Sequence, residues 1–182
     1  MAKVSIIGTG TWGIALGMVL AQNGHEVTAW SALPKEIEAL RESYKCKNLP
    51  GVEIPRSIVF TADLQEACTD KEMLVLSVPS VFTRGVAKQM NPFVKEGQLI
   101  VSVAKGIEEK TLMTMSQQIE EELPMANVAV LSGPSHAEEV SRGIPTTVVV
   151  GAKDRQTAEH IQNLFMSSVF RVYTSPDILG IE

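Results

Sequence analysis

Gly8, Gly10 and Gly13 fall at G-x-G-x-x-G spacing, directly after Lys3-Val4-Ser5-Ile6-Ile7 and directly before Ile14-Ala15-Leu16. Each position has its own physical demand. Gly8 suits a tight turn out of a strand. Gly10, with no Cβ, lets an anionic group approach the backbone, and Gly13 lets the following helix lie close on the strand. The start of that helix presents unpaired N–H groups and the positive end of a dipole. An apolar strand before the loop and a helix after it make the spacing specific, and together they predict binding of a dinucleotide through its pyrophosphate.

Three further loops combine reactive or hydrogen-bonding side chains with the carboxyl ends of predicted strands, where open α/β sheets bind ligands. They are Ser77-Val78-Pro79-Ser80, Ser102-Val103-Ala104-Lys105-Gly106-Ile107-Glu108 and Leu131-Ser132-Gly133-Pro134-Ser135-His136-Ala137-Glu138. Lys105 is a compact triple donor whose pKa moves readily on desolvation, so it suits acid–base or electrostatic work on a carbonyl or phosphate. Ser135 and Glu138 have capping-box spacing at the head of a short helix that Gly143 would close, with His136 at its first position, lining or flanking the pocket or, as the alternative, serving as a catalyst. His25 and His160 read as surface or packing residues. Where a second strand ends, an acidic residue selects NAD and a nearby Arg suits the 2′-phosphate of NADP. This chain has Trp30-Ser31-Ala32-Leu33-Pro34-Lys35 there, so Ser31 can bond either cofactor, Lys35 can assist a 2′-phosphate, and NAD or NADP stays open.

The elements that must position these residues follow from short apolar runs alternating with helical patterns, the signature of a doubly wound α/β sheet. Strands are predicted over 26–30, 57–61, 73–78, 99–103, 128–131 and 146–150, with 169–173 at a sheet edge. The near-continuous apolar runs suit strands buried on both faces. Helices are predicted over 12–23, ending at Gly24, and over 34–43, with 45–55 as loop. Leu112, Met115, Ile119 and Leu123 recur at helical spacing, with Glu120, Glu121 and Glu122 as a solvated face and Pro124 as the stop. Asp154 is expected to cap a helix that buries Ala158, Ile161, Leu164 and Phe165. Ser175-Pro176-Asp177 reads as a helix start with the proline at its first position.

Length and composition bound the rest. The 182 residues fit one domain, and 45% hydrophobic with 20% charged residues is ordinary globular composition. A formal net charge of −5 argues against general affinity for nucleic acid or acidic membranes, while leaving room for a local basic site. Cys46 and Cys68 match no metal or redox spacing and are expected to be reduced thiols. With no signal pattern and no run of about 18 apolar residues, a cytoplasmic protein without a membrane span is expected.

The motif set resembles bacterial NAD(P)-dependent glycerol-3-phosphate dehydrogenase. The resemblance rests on Gly8-Thr9-Gly10-Thr11-Trp12-Gly13, Asn23-Gly24-His25-Glu26-Val27, Val78-Pro79-Ser80, Ala104-Lys105-Gly106-Ile107-Glu108, Ser132-Gly133-Pro134-Ser135 and Pro176-Asp177. It implies a Rossmann-type α/β domain over 1–174, with a mostly parallel sheet and helices on both faces. Residues 175–182 would then begin the helix leading to a C-terminal helical domain outside this stretch. It also implies reversible hydride transfer between a nicotinamide cofactor, NAD or NADP, and the central carbon of dihydroxyacetone phosphate, giving sn-glycerol 3-phosphate for phospholipid synthesis. Carried over, Gly8, Gly10, Thr11, Trp12, Gly13, Ser31, Ala32, Pro79, Lys105 and Ala137 would meet the cofactor. Lys105, Gly133 and Ser135 would meet the small phosphorylated substrate, Lys105 also serving catalysis. The family's main acid–base lysine would lie beyond residue 182, so this stretch is expected to bind cofactor without full activity. A homodimer is compatible with the full-length protein. Ala32 departs from the His or Arg that many relatives carry near the adenosine phosphate. The other readings are a 6-phosphogluconate- or hydroxyacid-type dehydrogenase, or a non-catalytic dinucleotide-binding module.

Overall fold

The computed structural model describes all of residues 1–182. Eight strands form one sheet: β1 (Lys3–Ile7), β2 (Glu26–Trp30), β3 (Val59–Thr61), β4 (Met73–Leu76), β5 (Leu99–Ser102), β6 (Asn127–Ser132), β7 (Thr146–Gly151) and β8 (Phe170–Ser175). Their order is β3-β2-β1-β4-β5-β6-β7-β8. The first six run parallel; β7 lies antiparallel to β6, and β8 parallel to β7. The order reverses between β1 and β4, which opens a crevice at their carboxyl ends.

The apolar strands are buried on both sides because helices cover both faces. Successive side chains of a strand point to opposite faces. In β4, Met73 and Val75 join one core with Val4, Ile6 and α1 (Thr11–Gln22), whereas Leu74 and Leu76 join the other. The first core is completed by α2 (Pro34–Ser43), α6 (Ala137–Val140) and α7 (Arg155–Phe165). The second takes in α3 (Leu64–Cys68), α4 (Thr83–Met90) and α5 (Met115–Glu122). The predicted edge position of 169–173 holds: β8 ends the sheet, and its burial alternates from Phe170 to Tyr173. Asp154 caps α7, its carboxylate accepting from Thr157 N at 2.8 Å.

Several local expectations are corrected. Helix α5 starts at Met115, and Leu112 lies outside it with φ 60° and an exposed side chain. A true capping box precedes α5 instead, with Thr114 and Gln117 each accepting from the other's backbone N–H. Ser135 and Glu138 form no box, because α6 begins two residues after Ser135 and its N-cap is His136, with no side-chain cap bond. His136 therefore stands one position before the helix. Likewise Asp177, not Ser175, caps the last helix, α8 (Ile178–Ile181), accepting from Gly180 N at 2.9 Å. Ser175 is still strand, and its hydroxyl accepts from Asp177 N at 3.1 Å. Strand β3 is shorter than 57–61, and the short helices α3 and α4 escaped the periodicity reading.

Glu120, Glu121 and Glu122 are not simply solvated. Glu120 pairs with Lys153 at 2.8 Å, and the other two reach Arg84 on α4.

Candidate dinucleotide cleft and catalytic loop cluster

Gly8 and Gly13 do the packing work that the spacing predicts. A Cβ on Gly8, which has φ +119°, would lie 2.7 Å from the Ser77 carbonyl oxygen, and one on Gly13 would overlap the Gly8 carbonyl. Both residues are glycine because β1, the loop, β4 and α1 pack too closely for a side chain. Gly10 differs. A Cβ there meets nothing within 4 Å, so its missing side chain leaves open space beside the first turn of α1. The first helical N–H groups have no acceptor within the helix, and Ile14 N is the first to bond back, to Gly10 O at 2.9 Å. The buried Thr9 hydroxyl in the same loop has no partner. Open backbone, unpaired donors and an orphaned hydroxyl at one place fit a pyrophosphate.

Two clefts meet at Gly10. The first, about 410 Å³, brings together Thr11, Trp12 and all three predicted loops, with Pro79, Lys105, Gly133 and Ser135 in its wall. Lys105 is the one charged side chain there, and its Nζ donates to the Gly133 carbonyl at 2.8 Å. That bond ties the loop after β5 to the loop after β6. Gly133 is itself constrained: a Cβ would lie 2.9 Å from Thr147 O of β7.

The second cleft, about 560 Å³, contains Gly8, Thr9, Gly10, Ser31, Ala32 and Pro79. Its wall includes Leu33, Val81 and Phe82, all exposed. Sequence reasoning did not single out these three, nor Glu36, which also lines the cleft. The available signal was large apolar residues placed just after strand ends, outside any periodic pattern. Of the remaining predicted residues, Gly13 is packed beneath the loop. Ala137 is buried in the core at the head of α6 and lines neither cleft. His136 is exposed outside both. His25 is a packing residue: Nδ1 accepts from Ala2 N at 3.2 Å, so Nε2 donates to Leu164 O at 3.0 Å. His160 pairs with Glu72 at 2.8 Å.

Glu108 is a clamp. Arg84 donates to both its oxygens, at 2.8 and 2.9 Å, and also bonds Glu121 and Glu122. The guanidinium fork, helped by Thr111, holds the Glu108 carboxyl down from 4.5 to about 2. Arg84 is pushed up in turn by the three carboxylates, Glu108 foremost. The segment carrying Lys105 is thereby fastened to α4 and α5. Burial pushes the Cys68 thiol up to about 12, partly offset by Lys71; both cysteines are free thiols. No group of three or more His, Cys, Asp or Glu is placed to hold a metal, and no helix is long and apolar enough to cross a membrane.

Sheet order, switch point and glycine loop together define a dinucleotide-binding domain of the doubly wound class. The chain matches, over residues 3–158, the family described as the N-terminus of NAD-dependent glycerol-3-phosphate dehydrogenase, and it belongs to that family. It is 60% identical to the glycerol-3-phosphate dehydrogenase [NAD(P)+] of Agathobacter rectalis, covering 100% of this chain and 54% of that one. It is 52% identical to the enzyme of the same description from Fusobacterium nucleatum, covering 100% and 55%. The crystal structure of glycerol-3-phosphate dehydrogenase from Coxiella burnetii superimposes with a TM-score of 0.93 at 27% identity, over 98% of this chain and 55% of that one. The chain thus spans about half the length of the curated relatives it matches.

Proposed function

We propose that this domain binds NAD(H) or NADP(H) and serves the interconversion of dihydroxyacetone phosphate and sn-glycerol 3-phosphate. The observation that carries the reading is the meeting of the two clefts at Gly10. It gives one ligand an adenosine pocket, a pyrophosphate cradle and a polar chamber in line. In that order the base lies against Leu33, Val81 and Phe82, and the pyrophosphate lies over Gly10 and the first turn of α1. The nicotinamide end lies beside Trp12, Pro79 and Lys105. When bound, the nicotinamide supplies or accepts the hydride. The chain's own part is to orient and polarise. The Lys105 ammonium, held by Gly133 O, donates towards the substrate oxygen on which negative charge grows in the transition state, and the Ser135 hydroxyl helps to place that substrate. Ala137 has a supporting part, fixing the head of α6 below the cofactor loop.

With Lys105 the one charge in its chamber, this stretch has little to hold a substrate phosphate. Full turnover accordingly draws on the remainder of the protein. Residues 1–174 are the binding unit in this reading, and 175–182 lead onward from it. The acidic balance and free thiols support a cytoplasmic enzyme that does not engage nucleic acid, and the homodimer rests on the resemblance alone. Titration of the chain with NADH and NADPH, read by energy transfer from Trp12 and Trp30, tests the proposal. Saturable quenching with either is expected, with little turnover of dihydroxyacetone phosphate. A folded sample that binds neither overturns the reading.

A further inference from the structure

We propose that Glu36 sets the cofactor preference of this chain, favouring a dinucleotide with a free adenosine ribose 2′-hydroxyl over one carrying a 2′-phosphate. The inference rests on the dinucleotide reading above and names which form is bound. The residue just beyond β2 is the uncharged Ser31, so the place where an acidic residue ordinarily meets the ribose looks empty in the sequence. The fold fills it from the next element. Glu36, in the first turn of α2, accepts the Ser31 hydroxyl proton on Oε2 at 2.6 Å, and that hydroxyl accepts Leu33 N at 3.2 Å.

Three observations give the carboxylate its discriminating role. Its second oxygen has no partner, and no lysine or arginine pairs with it, so it keeps both acceptor capacity and charge. Lys35, the nearest cation in sequence, is exposed and does not line the cleft. The head of α2 is poor in donors for a phosphate: Pro34 has no N–H, and those of Glu36 and Ile37 go to Leu33 O. A ribose hydroxyl brought here donates to the free carboxylate oxygen. A 2′-phosphate brings no such donor and meets like charge beside the apolar Leu33 wall, where screening is weaker than in water.

The test is titration of the wild-type chain, Glu36→Gln and Ser31→Ala with NADH and with NADPH, each variant first checked for an unchanged thermal midpoint. Wild type should bind NADH at least tenfold tighter than NADPH. Glu36→Gln should bring the two within about threefold, mainly by tightening NADPH, and Ser31→Ala should fall between. Wild type that prefers NADPH, or a ratio unmoved by Glu36→Gln, overturns this proposal while leaving the dinucleotide reading intact. Failure of folded wild type to bind either nucleotide overturns both.

Discussion

On one side of Gly10 the cleft wall is built from side chains: Leu33, Val81 and Phe82, with Glu36 as its single charge. On the other side it is built largely from backbone and small residues at three strand ends, with Lys105 as its single charge. The apolar side offers area, and area yields affinity that is the same in ground and transition states. The polar side offers a donor tied to Gly133 O, whose value, in the role proposed for it, grows as charge develops on a substrate oxygen. On the proposed function one cleft holds the ligand and the other acts on it, with the glycine loop as the shared wall.

The largest effect that would break this division is expected from Gly13→Ala. Helix propensity alone would favour alanine by about 1 kcal/mol. Overlap with the Gly8 carbonyl works against it, and overpacking of this kind costs roughly 3 kcal/mol. Both clefts should collapse together, read as a drop in thermal midpoint of several degrees with loss of NADH binding. Lys105→Ala should separate them. In the full-length protein kcat/KM for dihydroxyacetone phosphate should fall by roughly 3 kcal/mol in transition-state terms while NADH affinity changes little. An unchanged kcat/KM would sink the assignment of Lys105.

Gly10→Ala sharpens the comparison from the middle. Gly10 has φ −61° and ψ 169°, which alanine accepts, and a Cβ there touches nothing within 4 Å of the protein. The fold should therefore keep its thermal midpoint while NADH binding weakens at least tenfold, because the Cβ occupies the pyrophosphate's approach. The smallest effect concerns the clamp behind Lys105. The Glu108 pKa is lower in the folded state, so its contribution is complete above its ordinary value near 4.5 and is lost as pH falls towards 2. Wild-type stability should accordingly decline across that window, and Arg84→Gln should flatten the decline. Chemical denaturation at stepped pH reads both slopes, and parallel slopes would refute the clamp.

The glycine loop was legible because its constraints are local: a strand, a turn and a helix within a dozen residues fix what each glycine must do. The loops of Pro79, Lys105 and Gly133 were legible as strand ends, and a parallel sheet gathers strand ends on one rim. What escaped the sequence depended on partners distant in the chain or on a helix starting a residue or two late. Arg84 finds Glu108, Glu121 and Glu122 across 24 to 38 positions, a pairing that no periodicity announces. Ser135 and Glu138 have the spacing of a cap, but the chain enters α6 only at Ala137, so the serine is left facing the cleft. Glu36 carries no such signal in the sequence, because an acidic partner for the ribose is expected at the strand end itself.

The reversed strand has a mechanical consequence. Because β7 turns back against β6, its Thr147 carbonyl takes the space a Cβ on Gly133 would need, and Gly133 O is the acceptor of the Lys105 ammonium. On the proposed role of Lys105, the sheet's outer rank serves as a backstop for the loop whose carbonyl aims that ammonium. If Lys105 has the role proposed for it, a change that loosens the β7–β8 pair is expected to lower kcat/KM of the full-length protein before it lowers the thermal midpoint.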